Sequence, residues 1–174
     1  MGSYSRTSID NIVLEDIREA LEEDFDQIWE IFHQIVSTGE TYAIHRNTSK
    51  YEAYKIWMEQ PQKSYVCVVN NKVLGTYYLK QNHKGGGGHV CNCAYMVAIE
   101  AEGKGIGTMM CLHSQNIAKG LGYKAMQFNL VLVSNIKAIS LWKKLGFDTV
   151  GKIPKAFDHP KLGYVDALVM HKWL

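Results

Sequence analysis

The sequence predicts a mixed α/β domain, one sheet with helices on both faces. Three observations point to it. The first half of the chain carries β-rich runs joined by a hairpin signal, and the second half reads β-α-β-α-β. The composition, 47% apolar and 21% charged, is that of a globular chain. At 174 residues the chain is long enough to bury one core.

The elements follow in order. Residues 17–21 alternate apolar and charged side chains, as a first strand does. Glu22, Glu23 and Asp24 then load negative charge onto a helix start, where the dipole favours it. That helix carries Phe25, Ile28, Trp29, Ile31, Phe32, Ile35 and Val36 at helical spacing and stops near Gly39. Residues 51–58 read as a shorter helix before Pro61. Residues 64–69 and 73–79 are strands joined through Asn70-Asn71, a two-residue hairpin signal. The glycine run 85–88 has no helix after it and reads as a flexible connector. Residues 90–99 form a strand with Cys91, Cys93, Tyr95 and Val97 on one face. Residues 108–119 form a helix expected to bury Met109, Leu112 and Ile117 before Gly120-Leu121-Gly122. Residues 124–133 are strand-like, Asn135 opens a helix closed by Gly146, and residues 148–153 and 164–173 supply the last two strands.

Several function classes are disfavoured at this point. The net charge is +2 and the 19 basic residues form no block, so nucleic-acid binding has no electrostatic support. No apolar run approaches the roughly 20 residues that cross a bilayer. Residues 1–10 are polar and lack an apolar signal region, and Arg6 stands where a myristoylation signal wants Ser or Thr. They are expected to be a tag-like or disordered N-terminus, with one domain over residues 11–174 and a cytoplasmic location. Cys67, Cys91, Cys93 and Cys111 lack paired zinc spacing and read as buried reduced thiols, so no metal is expected.

The most informative stretch is Ala98 to Thr108, where Gly103, Gly105 and Gly107 sit between a strand and a helix. Such a junction aims free backbone N–H groups and the positive end of a helix dipole at one point, which suits a phosphate. A dinucleotide fingerprint fails because Met110 occupies the place of its third glycine. A phosphate-binding P-loop fails because Gly103-Lys104 is followed by Gly105 rather than Ser or Thr.

After the next strand comes Asn135-Ile136-Lys137-Ala138-Ile139-Ser140-Leu141-Trp142-Lys143-Lys144-Leu145-Gly146-Phe147. The glycine turn, this helix and the strand order together resemble the GNAT superfamily of acyl-CoA-dependent N-acetyltransferases. The resemblance implies a mostly antiparallel sheet with one splayed parallel pair, acetyl-CoA as co-substrate, and direct transfer in a ternary complex. It implies that the backbone of Glu102, Gly103, Lys104, Gly105, Ile106, Gly107 and Thr108 cradles the coenzyme pyrophosphate. The Val97, Ala98 and Ile99 backbone would pair with the pantetheine arm, and Asn135 would hydrogen-bond it from the far side. Two positions depart from the family pattern. Glu102 stands where Gln or Arg is usual, and a carboxylate there must turn to solvent. Trp142 stands where a tyrosine often protonates the leaving thiolate, and an indole N–H cannot give up its proton at neutral pH.

Further stretches, including residues 74–80, 89–94 and 128–131, resemble yeast acetyltransferases that detoxify proline analogues such as azetidine-2-carboxylate. That resemblance implies a small amine acceptor bearing a carboxylate, bound by Asn92 and Asn129 with the Leu130 N–H, and it makes Asn129 and Asn135 the catalytic pair. Asparagine is also disfavoured inside strands, yet both Asn92 and Asn129 interrupt β-rich runs. Glu40, Thr41, Tyr42, His83, His89, Tyr95, Asp158, His159 and Tyr164 are secondary candidates for shaping or serving the acceptor site. A protein or peptide acetyltransferase and a non-catalytic acyl-CoA sensor are the alternatives, and a homodimer is the family default.

Overall fold

The structure is a computed structural model that describes residues 14–174. The expectation for residues 1–10 lies outside the described residues. Seven strands form one sheet, β1 (Leu14–Glu19), β2 (Lys63–Val69), β3 (Lys72–Gln81), β4 (Val90–Val97), β5 (Ala125–Leu132), β6 (Asp148–His159) and β7 (Gly163–Trp173). Their spatial order is β1-β2-β3-β4-β5-β7-β6, with β4–β5 the parallel pair and the rest antiparallel. Four helices complete the fold: α1 (Phe25–Val36), α2 (Lys50–Tyr54), α3 (Ile106–Gly120) and α4 (Ile136–Lys144).

The opening strand lies earlier than residues 17–21, because Ala20 ends the pairing by donating to the Ser64 carbonyl. Asp24 then grips Arg18 through both carboxylate oxygens, at 2.6 and 2.8 Å, and accepts from the Leu21 N–H at 2.7 Å. This clamp sets the angle at which α1 leaves the sheet. The helix buries Phe25, Ile28, Ile31, Phe32 and Val36, the apolar stripe its spacing dictates. Ser49 and Glu52 cap α2 reciprocally, and a π-helical turn over Lys55–Glu59 continues it. That turn drives Trp57 into the core, where its indole N–H donates to Thr76 Oγ1 at 2.9 Å. The β2–β3 hairpin turns through Asn70 and Asn71 at φ 49° and 60°, as its sequence requires.

Helices occupy opposite faces. Thr76 of β3 meets Trp57 on the α1–α2 face, whereas a side chain at Gly75 would run into Ile106 and Met110 of α3. Two sequence expectations need correcting here. In α3 Met109 and Ile117 pack half-buried against the core as expected, but Leu112 is exposed and the fully buried residues are Ile106, Met110, Cys111, Ser114, Gln115 and Ala118. The helix begins two residues earlier than residue 108, and Ile106 with Met110 marks the inner face from its first turn. The glycine run forms a 3-10 turn, with the Gly88 N–H on the Gly85 carbonyl and Gln81 Nε2 on the Gly88 carbonyl, so it is a structured corner. All four cysteines are buried and reduced, as expected.

Candidate active site

The sheet opens at one place. β4 and β5 pair only through Val90–Ala125, Cys91–Met126 and Asn92–Gln127, and beyond those rungs the strands diverge. Asn92 donates its side-chain N–H to the Gln127 carbonyl at 2.9 Å, at the last rung. On the far side of β5 the ladder to β7 skips from Phe128 to Val131, leaving Asn129 and Leu130 in a bulge. Divergence on one edge and a bulge on the other leave β5 backbone groups free beside the gap.

On β4 the Ala98 N–H is held by the Leu74 carbonyl of β3. Antiparallel alternation therefore turns the Tyr95 and Val97 backbone groups into the gap. The Tyr95 carbonyl there accepts a short hydrogen bond from Tyr42, on the loop after α1. A second tie holds this loop, the ion pair of Glu40 with Lys161 at 2.5 Å. Val97 and the Ile99 N–H remain available to a pairing partner, whereas Ala98 is spent within the fold.

The gap holds a cavity of about 300 Å³ lined by Tyr42, Tyr78, Asn92, Tyr95, Asn129 and Asn135 among others. Among the described residues, no carboxylate, histidine or lysine lines it. The groups that could titrate are phenols and a thiol, and burial moves them all upward. Tyr78 is pushed to about 12 by burial, and Tyr42 and Tyr95 are also raised by burial. Burial likewise raises the Cys93 thiol. At neutral pH the cavity wall is therefore uncharged.

Asn135 caps α4, its Oδ1 accepting from the Ala138 N–H at 3.2 Å, and its residue borders the cavity. This geometry leaves the amide nitrogen for a ligand. Trp142 packs among Tyr95 and Phe128, with ring centroids 5.1 and 4.9 Å away. Its role in the fold is to fill the space under the gap. Asn129 shares its amide with neighbours, accepting from Gln127 Nε2 at 2.9 Å and donating to Asn82 Oδ1 at 2.7 Å. Each of Asn92 and Asn129 keeps one N–H in excess of these bonds.

The glycine turn lies at the other end of the gap. Gly103 and Gly105 adopt φ 75° and 81°, a region that costs any residue with a Cβ. Among the described residues, nothing accepts from the N–H groups of Gly103, Gly105, Ile106, Gly107 or Thr108. They converge at the start of α3, a natural anion cradle. Glu102 is turned outward and meets Lys137 of α4 at 3.4 Å, so its charge is countered across the mouth of the gap.

A splayed parallel pair, an amide cradle at the following helix and an asparagine-capped helix opposite are the parts of one acyl-transfer architecture. The family model described as the acetyltransferase (GNAT) family matches residues 14–147. The chain belongs to that family. GNAT members are acetyltransferases that use acetyl-CoA as co-substrate. The chain is 38% identical over 100 residues to N-acetyltransferase aca1 of Schizosaccharomyces pombe, a match covering 56% of this chain and 47% of that protein. The chain thus aligns with about half the length of that relative. A solved GCN5-related N-acetyltransferase from Kribbella flavida is 39% identical, with a TM-score of 0.87 over 91% of this chain and 97% of the other. The fold also matches a Sinorhizobium meliloti phosphinothricin acetyltransferase in complex with AcCoA, at 21% identity and a TM-score of 0.80 over 91% of this chain and 88% of that one.

Of the secondary candidates, Thr41 and Tyr42 line the cavity, and His159 borders an adjoining hollow with Asn135. Neither His83 nor His89 lines the splay cavity; His83 borders a second hollow, and His89 Nδ1 meets the Gly86 carbonyl. Asp158 borders an open outer groove, and Tyr164 is exposed. Sequence reasoning missed Tyr78, Lys80, Asn82 and Gln127. Their signal was the period of two that puts Tyr78, Lys80 and Asn82 on one face beside Asn92. Among the described residues no helix is long and apolar enough to span a membrane, and no cluster of three ligating side chains could hold a metal.

Proposed function

We propose that the protein transfers the acetyl group of acetyl-CoA directly to the amine of a small acceptor bearing a carboxylate, an amino acid or a proline-like analogue. The observation that carries this reading is the cavity at the splay, about 300 Å³ and walled by the three asparagines with no acid or base. That volume suits a small molecule.

The residues fit the coenzyme. The free N–H groups of Gly103, Gly105, Ile106, Gly107 and Thr108 suit a pyrophosphate, those of Glu102 and Lys104 being bonded to the Ile99 and Ala101 carbonyls, and the Glu102–Lys137 pair removes the objection to a carboxylate at that place. The Val97 backbone and the Asn135 amide flank the path from there to the cavity. When bound, acetyl-CoA supplies an activated thioester whose sulfur is a good leaving group. The protein's task is then orientation, which is worth up to roughly 7–11 kcal/mol. Asn92 and Asn129, with the Leu130 N–H, hold the acceptor carboxylate, and Asn135 positions the thioester. Backbone N–H groups facing the gap steady the carbonyl oxygen as it gains charge. With no base in the wall, the acceptor must enter as the neutral amine.

A peptide acceptor is the second reading. An open groove of about 870 Å³ shares Tyr42, Ala43 and Ile44 with the cavity and could seat an extended chain. Release of free thiol from acetyl-CoA, measured with amino acids, proline analogues, polyamines and peptides, tests both. Turnover with small carboxylate-bearing amines supports the proposal, and turnover with peptides alone transfers the assignment to the groove. Tight coenzyme binding without turnover on any amine leaves only a sensor.

A further inference from the structure

Beside the splay cavity lies a second hollow of about 660 Å³, bordered by Gln62, Lys80, Asn82, His83, Lys84 and Tyr123 among others. Among the described residues, its wall carries two lysines and no carboxylate. Lys80 has no carboxylate within ion-pair distance among the described residues, and its ammonium lies 5.1 Å from the centre of the Tyr78 ring. Tyr78 in turn lines the splay cavity, and Lys80 pairs in register with Asn92 across the β3–β4 ladder. One face of β3, continued at Asn82, thus serves both hollows, Tyr78 lining the splay cavity and Lys80 and Asn82 the second hollow.

The amides of this wall point one way. Gln127 donates to Asn129, Asn129 donates to Asn82, and Asn82 Nδ2 ends the chain as a buried donor with no partner. A buried donor without an acceptor is costly, and a run of amides polarised toward it makes the terminal N–H a better donor. Lys80 lies two residues away on the same face, about 7 Å by strand rise, and its ammonium rests over the Tyr78 ring, which lines the splay cavity. The lysine stem, four carbons long, spans that distance. A lone donor and a cation without a carboxylate partner on one face, both within a flexible side chain's reach of the splay, call for an anion.

We infer that Lys80, with Asn82, forms an anion subsite adjoining the splay, and that it supplies the counter-charge for the acceptor carboxylate. This rests on the acceptor assignment made above and deepens it. The asparagines Asn92 and Asn129 provide neutral donors, and Lys80 provides the charge that distinguishes a carboxylate from a carboxamide. The enzyme then selects acceptors by charge as well as by size.

The test compares wild type, Lys80→Met and Lys80→Arg on a carboxylate acceptor and its carboxamide. It reads KM, kcat and, by calorimetry, the Kd of each acceptor on the enzyme–coenzyme A complex. Lys80→Met should raise KM and Kd for the carboxylate by roughly tenfold or more, the worth of a charge-assisted hydrogen bond. Lys80→Arg should stay within about threefold, and the carboxamide should not respond to either change. Added salt should weaken carboxylate binding to wild type and not to Lys80→Met. Equal effects on carboxylate and carboxamide, or none on either, would overturn the subsite. Acetyl-CoA affinity and melting temperature, measured on all three proteins, should be unchanged, and a drop in melting temperature for Lys80→Met would assign the residue to the fold instead. Wild type that binds acetyl-CoA yet acetylates neither acceptor overturns the acceptor reading itself, and Lys80's role with it.

Discussion

The side-chain amide of Asn92 bonds the main-chain carbonyl of Gln127 at the last rung before β4 and β5 part. A side chain thus finishes what the backbone ladder begins, and the point where the sheet opens is fixed by one asparagine. Asn92→Ala removes that bond and leaves a carbonyl unpaired at the apex. It should cost about 1–3 kcal/mol in thermal or urea unfolding and raise the acceptor KM. Unchanged stability would mean that the ladder holds the apex without help.

The uncharged cavity wall sets the pH dependence of the reaction. Tyr78 titrates near 12, and Tyr42 and Tyr95 are raised as well, so no phenol in the wall ionises between pH 6 and about 10. The logarithm of kcat/KM should rise with unit slope until the acceptor's own ammonium pKa and then level off. Replacing the acceptor by one with a less basic amine should move the break by the difference in amine pKa. A break that stays put when the acceptor changes would reveal a protein base.

Trp142→Phe and Asn135→Ala separate packing from chemistry. The phenylalanine keeps ring contacts with Tyr95 and Phe128, so turnover should fall less than about threefold and the pH profile should not move. Asn135→Ala loses a helix cap, which costs about 0.5–2 kcal/mol of stability. Its turnover should fall far more, by roughly 100-fold, if the amide holds the reacting thioester. Parallel losses in stability and turnover would return Asn135 to a plain cap.

Gly75→Ala tests how α3 is seated. A Cβ there would come within 2.8 Å of both Ile106 Cγ2 and Met110 Cε. Met110 can swing aside, but Ile106 is branched and sits in the first turn of the helix. The strain should cost about 1–3 kcal/mol and displace the free amides with that turn. Calorimetry should show weaker acetyl-CoA binding with an unchanged acceptor KM.

Asp24→Asn reads the clamp at the start of α1. The hydrogen bonds from Arg18 hold the Asp24 carboxyl below its usual 3.8. A depressed carboxyl pKa stabilises the fold above the unfolded value and loses that stabilisation as pH falls through the folded one. At pH 7 the variant should be less stable by about 1–2 kcal/mol, discounted because the guanidinium is partly exposed. The gap in melting temperature should close as pH is lowered below 3.8.

The architecture was legible wherever period and punctuation agreed. The α1 stripe, the Asn70–Asn71 turn and the Asn135 cap all come from short-range rules, and the structure places each where those rules put it. Leu112 was wrongly assigned to the inner face of α3 because Gly105 at the N-cap and Gly107 in the first turn give little apolar signal to anchor the phase. The polar row of Lys80, Asn82, Gln127 and Asn129 was hidden for another reason. Those residues come from two distant segments, and only the β3–β4–β5 register brings them together. Glu102 looked adverse in sequence because its partner, Lys137, lies on another helix.

The three-rung ladder between β4 and β5 has a thermodynamic consequence. It is a seam between two half-sheets, and most of its length carries no cross-strand bonds. A ligand lying in the gap acts as the missing rungs, binding the folded state and not the unfolded one. Each tenfold excess over its Kd then adds about 1.4 kcal/mol to the stability of the whole chain. The melting temperature should therefore rise with acetyl-CoA concentration wherever the coenzyme occupies that gap.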